Sequence, residues 1–118
     1  MRLNEIHYDG SKPVDGYGPG FFRVGGKVMD GHVALLPSGP VVWDGSPDVF
    51  VAAASEMDVV LLGTGADIDN PPEALVEAME AAGLGVEVMS SPSACRTYNV
   101  LLGEGRRIGA ALFAVVEK

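Results

Sequence analysis

The 118-residue chain has one cysteine, Cys95, and two histidines. A single cysteine excludes an internal disulfide and a cysteine-only metal cage, and it fits a reducing compartment. His7 and His32 lie far apart in sequence with no ligand partner beside either, so a metal site is not expected, and no cofactor is expected. Basic residues are also scarce. Between Val28 and Cys95 there is no Lys or Arg against eleven acids, and the formal net charge is −8. Nucleic-acid binding needs a basic face, so it is not expected. The longest apolar run, Ile108–Val116, has nine residues. A helix needs about 20 to cross a bilayer, so no membrane insertion is expected. The opening MRLNEIHYDG has neither the apolar stretch of a signal peptide nor the Arg- and Ser-rich, acid-poor character of a presequence. A soluble, cytoplasmic protein is expected.

What is present is globular. The composition is 47% apolar and 20% charged, unlike that of a disordered chain. The length implies one domain over residues 1–118. Such a chain buries roughly 65% of its unfolded surface, enough for a core without disulfides or metals.

The first 45 residues read as mostly antiparallel β. Leu3–Tyr8 is a predicted strand, and Asp9–Gly20, with four glycines and two prolines, is a predicted loop. Gly25-Gly26 separates Phe21–Val24 from the segment starting at Lys27, as a two-residue hairpin turn does. Asp30-Gly31 marks a second turn or a bulge. His32–Leu36 and Val41–Trp43 flank Pro37-Ser38-Gly39-Pro40.

The pattern then changes. Ser46-Pro47, Asn70-Pro71 and Ser91-Pro92 each open a helical stretch. The polar side chain can accept from an orphan N–H, and proline has none to lose in the first turn. Glu73 follows Asn70 at capping-box spacing, and Gly83 suits a left-handed helix end. Val59–Leu62, Val86–Met89 and Ile108–Val116 are apolar strands between these helices. Val59–Leu62 suits a strand covered on both faces, and Ile108–Val116 is expected to be central. A β meander followed by alternating strands and helices predicts α/β with a mixed sheet.

Several motifs fail on inspection. Gly63-Thr64-Gly65 follows an apolar strand as in a dinucleotide fingerprint, but Ile68 stands where a third glycine belongs. Asp67 and Asp69 would repel a pyrophosphate. The alternative is a tight turn at a strand end, where α/β proteins also bind ligands. Asp67, Asp69 and Glu73 do not make a calcium loop, because Pro71 and Pro72 occupy positions an EF-hand needs. No Gly-x-Ser-x-Gly or Ser-x-x-Lys is present. Glu73, Glu77 and Glu80 share one helix face, a solvated one.

Ser91–Arg107 is the segment richest in chemistry. At ~100° per residue, Ala94, Tyr98, Leu101 and Leu102 share the apolar face, with Cys95 at its edge and Arg96 opposite. Cys95 is either a thiolate favoured by the helix dipole and Arg96 or a small buried hydrophobe. Buried packing is the simpler reading, since no His accompanies it. Ser91, Ser93 and the first-turn N–H groups either cradle an anion beside Arg96 or simply cap the helix. Asn99 can bond neighbouring backbone, and Glu104 can pair with Arg106 or Arg107.

Ala94-Cys95-Arg96-Thr97-Tyr98-Asn99 followed by Glu104-Gly105-Arg106 resembles the signature of the small Mth-type α/β domain family. Gly16-Tyr17-Gly18, Trp43 and Gly63-Thr64-Gly65 match its pattern as well, so the resemblance runs along essentially the whole chain. It implies a three-layer fold around a mixed central sheet, with an N-terminal β meander and about three helices. It also implies kinship with stand-alone bacterial and archaeal proteins of unknown function, mitochondrial respiratory complex I assembly factors and an adipogenesis-associated cytosolic protein. The family carries no accepted catalytic residues.

Two functions follow as expectations. One is a non-enzymatic protein-interaction or assembly-factor module with a protein partner and no catalytic residues. The other is a binder of a small anionic ligand, or an enzyme, using a cleft between Gly63-Thr64-Gly65 and the helix starting at Ser91. The candidate ligand-binding residues are Gly63, Thr64, Gly65, Ser91, Ser93, Cys95, Arg96, Asn99 and Arg106.

Overall fold

The computed structural model describes residues 12–116. The strand expected over Leu3–Tyr8 lies outside the described residues, as does His7. Strands β1 (Val14–Gly18), β2 (Phe21–Val24) and β3 (Lys27–Asp30) form an antiparallel sheet in the order β1-β2-β3. Gly25 and Gly26 have φ of +57° and +83°. Two successive positive values suit the tight hairpin between β2 and β3 and favour glycine at both places. Strands β4 (Val33–Leu36), β5 (Gly39–Val42), β6 (Val59–Gly63), β7 (Gly85–Met89) and β8 (Ile108–Leu112) form a second sheet in the order β5-β4-β8-β6-β7. It is mixed: β4 runs antiparallel to β5 and β8, while β6 is parallel to β7 and β8. Thus Ile108–Leu112 is central, as its uniformly apolar sequence implies.

Helix α1 (Asp48–Ala52) and α2 (Glu73–Ala81) lie on one face of this sheet, and α3 (Ser91–Gly103) lies on the other with the three-stranded sheet. Strand alternation divides the core accordingly. Val33, Leu35, Leu61, Ile108, Ala110 and Leu112 pack toward Tyr98, Ala94, Phe22 and Val24. Ala34, Leu36, Val60, Leu62 and Ala111 pack toward Phe50, Leu75 and Met79. The result is the three-layer α/β architecture implied by the resemblance. Glu73, Glu77 and Glu80 are exposed on α2, and Gly83 ends that helix at φ +92°.

Several local expectations change: α1 starts after Pro47 with no side-chain cap from Ser46, and the last strand ends at Leu112 rather than Val116. Asp9–Gly20 is not wholly loop, because β1 lies within it. Gly16 and Gly18 weaken any intrinsic strand preference, but tertiary pairing overrides it. Val14 opposes Val24, Tyr17 opposes Phe22, and a bulge at Asp15 absorbs one residue. The Asp15 carboxylate accepts from the Gly26 N–H in the adjoining turn. The Phe21 ring lies over Gly18, so a side chain there would collide with it. In the second helix, Pro72 directly precedes α2 and no side-chain cap forms, so Asn70 and Glu73 make no capping box. In the third, the cap is Ser90 rather than Ser91: Ser90 Oγ accepts from the Ser93 N–H at 3.3 Å. Ser91 is thereby released for a different task.

Candidate functional site at the ends of β6 and α3

The C-terminal ends of the parallel strands β6, β7 and β8 converge, with Gly63 opposite both Met89 and Leu112. This is the end of an α/β sheet where ligands commonly bind. Here it is closed by Ser91. The side chain is fully buried, and its Oγ donates to the Phe113 carbonyl at 2.6 Å while accepting from the Gly65 N–H at 2.9 Å. The Ser91 N–H donates to the Gly65 carbonyl at 2.7 Å, and the Phe113 N–H donates to the Gly63 carbonyl at 2.9 Å. One hydroxyl therefore ties the loop after β6 to the chain leaving β8.

Gly63 is required by closeness. A Cβ at this position would lie 2.7 Å from both Ser91 Cα and Ser91 Oγ. Gly63 and the start of α3 are in contact, with no open space between them. Thr64 is likewise occupied: its N–H donates to the Met89 carbonyl at 2.9 Å, its Oγ1 donates to the Asp67 carbonyl at 2.8 Å, and its Oγ1 accepts from the Asp69 N–H at 3.0 Å. A hollow of about 270 Å³ opens on the outer side of the loop, lined by Thr64, Gly65, Asp67, Ile68, Asp69 and Val116 among others. Its ionisable residues are two aspartates, a lining unfavourable to an anion.

The other candidates fall into two groups. Cys95 and Asn99 face inward. Cys95 is buried in the core layer beneath α3, and burial pushes its thiol up to about 12, against a smaller opposing pull from Arg96. Thiolate chemistry is disfavoured at such a site. Asn99 Oδ1 accepts from the Val14 N–H at 2.8 Å, and Asn99 Nδ2 donates to the Val14 carbonyl at 2.8 Å. The amide imitates a neighbouring strand and fixes β1 against α3. Arg96 and Arg106 face outward. Arg96 is exposed, with Nη2 donating to Ser93 Oγ at 3.2 Å. Arg106 is exposed in the turn after α3. Arg107, expected beside Glu104, turns to Asp58 at 3.6 Å and donates to the Ser55 carbonyl at 2.6 Å.

His32 has a role its sequence neighbourhood does not signal. Its Nδ1 accepts from the Ala114 N–H at 2.9 Å, and its ring meets Phe113 edge-on at 5.1 Å between centroids. Phe113 also packs on Trp43 at 4.9 Å. The chain leaving β8 is thus held by Ser91 on one side and by His32 and Trp43 on the other. Among the described residues, no group of three His, Cys, Asp or Glu side chains could hold a metal.

Residues 14–113, which bear nearly all these contacts, match the family described as "Protein of unknown function (DUF498/DUF598)". The chain belongs to this family. It is 46% identical over 114 residues to an uncharacterized protein of Rhodobacter capsulatus, covering 95% of this chain and 92% of that protein. It is 33% identical over 108 residues to human "NADH dehydrogenase [ubiquinone] 1 alpha subcomplex assembly factor 3", covering 84% of this chain but 59% of the human protein. A solution structure from Bordetella pertussis, described as a Mth938-like domain, matches with TM-score 0.74 and 25% identity over 100% of this chain and 95% of that one. A crystal structure described as an outer membrane protein from Bartonella henselae matches with TM-score 0.82 and 33% identity over 92% of this chain and 99% of that one. The Mth-type resemblance and its mixed α/β fold therefore hold. In this chain, no helix among the described residues is long and apolar enough to cross a membrane.

Proposed function

We propose that this chain acts as one domain, a non-enzymatic protein-interaction module of the assembly-factor kind. The observation that carries the reading is the relationship to the human assembly factor along 84% of the chain. The site geometry supports it. Ser91, Thr64 and Asn99, the polar candidates most suggestive of chemistry, spend their hydrogen bonds on backbone. They act as fasteners of the fold. Arg96 and Arg106 are the candidates left facing outward, and they are the ones available to a protein partner. A cytoplasmic location belongs to the same proposal.

The test is quantitative co-purification from the native host, with the tagged chain at its natural level and mass spectrometry of what it retains. The expected result is one recurrent partner retained in stoichiometric amount and weakened in the double variant Arg96→Glu/Arg106→Glu. Repeated recovery of the chain alone would overturn the reading, as would a partner indifferent to both arginines.

A further inference from the structure

Two hollows open at the same end of the five-stranded sheet. Val42 opposes Val33, Val33 opposes Leu112, and Leu112 opposes Gly63, so β5, β8 and β6 all finish at that end. The loop after β5 leads to α1 and the loop after β6 leads to α2, and both helices cover one face. The hollows therefore share one side of the sheet end. The first, of about 380 Å³, is lined by Trp43, Asp44, Asp48 and Val49 among others. The second is the hollow of about 270 Å³ bounded by Asp67, Ile68, Asp69 and Val116 among others. Half-buried Phe113 stands between them. Its ring packs on Trp43 at 4.9 Å, and the next residue, Ala114, borders the second hollow.

The surface joins apolar area to charge of one sign. Ile68 is 66% exposed and Val116 63% exposed. Every ionisable residue lining either hollow is an aspartate, and all four aspartates are exposed. Asp44 Oδ1 accepts from the Ser46 N–H at 2.9 Å, and that bond holds its carboxyl below the usual carboxylate range. The described bases lie elsewhere. Lys12 and Lys27 border a hollow with Pro40 near the start of β5, and Arg106 and Arg107 precede β8, so these four belong to the opposite end of the sheet. Arg23 lies within β2, and Arg96 bonds Ser93 on α3.

We propose that this end binds an extended, basic segment of a partner protein. The proposal rests on the protein-interaction reading and gives it a surface separate from Arg96 and Arg106. β5 and β6 are three strand spacings apart in the sheet, about 14 Å. One ion cannot serve carboxylates that far apart. An extended chain rises about 3.3 Å per residue and turns alternate side chains to one face, so positions i and i+4 are about 13 Å apart. Lys or Arg at those positions reaches one pair of aspartates each. An apolar residue at i+2 then rests on Phe113. Opposite charge selects the segment, and the apolar contact adds affinity.

The test titrates a peptide into the isotope-labelled full chain and follows its amide resonances. The peptide carries two lysines four positions apart, a leucine midway and threonines elsewhere. Saturable shifts should fall in residues 43–49, 64–69 and 113–116, with a dissociation constant below about 1 mM in about 0.05 M salt. Emission of Trp43, the one tryptophan, gives a second readout. Asp44→Asn/Asp48→Asn and Asp67→Asn/Asp69→Asn should each weaken binding about fivefold, since each removes two exposed charge pairs. Circular dichroism checks that both fold. A peptide with adjacent lysines should bind more weakly, because it reaches one hollow only. Arg96→Glu/Arg106→Glu should not weaken binding, so this proposal and the partner test above fail separately. Absence of saturable shifts, shifts centred on another surface, or affinity indifferent to the aspartates or to lysine spacing would each overturn the proposal. Spermine binding as tightly as the peptide would also overturn it, by assigning the end to a small polycation.

Discussion

Gly63→Ala gives the most demanding test of how this molecule is held together. The added Cβ would sit 2.7 Å from Ser91 Cα, about 0.7 Å closer than ordinary van der Waals contact. The obstacle is backbone, so no side-chain rotation relieves it. α3 cannot simply retreat, because Ala94, Cys95, Tyr98 and Leu102 are packed into the layer it covers. Crowding of this kind destabilises by about 1–3 kcal/mol. Moving Ser91 also stretches its bonds to Gly65 and Phe113, each worth about 1 kcal/mol. The combined destabilisation should be about 3 kcal/mol, or about 12 °C in Tm for a chain of this size. Urea unfolding followed by circular dichroism should show a lower midpoint with an unchanged m value. Gly16→Ala is the control: no atom lies within 4 Å of its added Cβ, so stability should stay within about 0.5 kcal/mol. If Gly63→Ala unfolds at the wild-type midpoint, Gly63 and Ser91 are not the closure described above.

Two further outcomes follow from the inward-facing residues. Cys95 should resist alkylation in the folded protein at pH 8 and react at a normal rate in denaturant; fast native labelling would contradict its burial. Its thiol rises from 9.0 to about 12 on folding, so the folded state binds the extra proton in that interval. Its contribution is fully present below pH 9 and is lost as pH climbs toward 12, a slope that Cys95→Ala should remove. Asn99→Asp keeps an acceptor for the Val14 N–H but sets a carboxylate against the Val14 carbonyl. The change should destabilise by about 2–3 kcal/mol. Hydrogen exchange should quicken in β1–β3 before β6 and β8, and uniform quickening would argue against a local pin.

The fold was legible wherever local signals and tertiary demands agree. The apolar runs at Val59–Leu62 and Ile108–Val116 mark buried strands, although the second strand stops at Leu112 and Val116 is exposed, and Gly25-Gly26 marks a hairpin, because both properties are written in adjacent residues. β1 was hidden because its glycines suggest a loop, while what makes it a strand is pairing with β2 and an amide 85 residues away. The helix register near Ser91 correctly set Cys95 inward and Arg96 outward. It could not show that Ser91 bridges two loops, since that depends on β6 and β8 becoming neighbours across the α2–β7–α3 crossover. His32 was opaque for the same reason: the N–H that donates to its ring, that of Ala114, lies 82 residues on.

The position of β8 bears on how the chain is made. It is the last of the described strands to be synthesised, yet it sits between β4 and β6. Until it arrives, the β4–β5 hairpin and the β6–β7 pair have no common strand to join them. A nascent chain stopped before Ile108 would hold two incomplete half-sheets, each with an apolar edge open to misassociation. Its completion is therefore a late, long-range step, and loss of Ile108–Leu112 alone should be more damaging than the removal of five residues suggests.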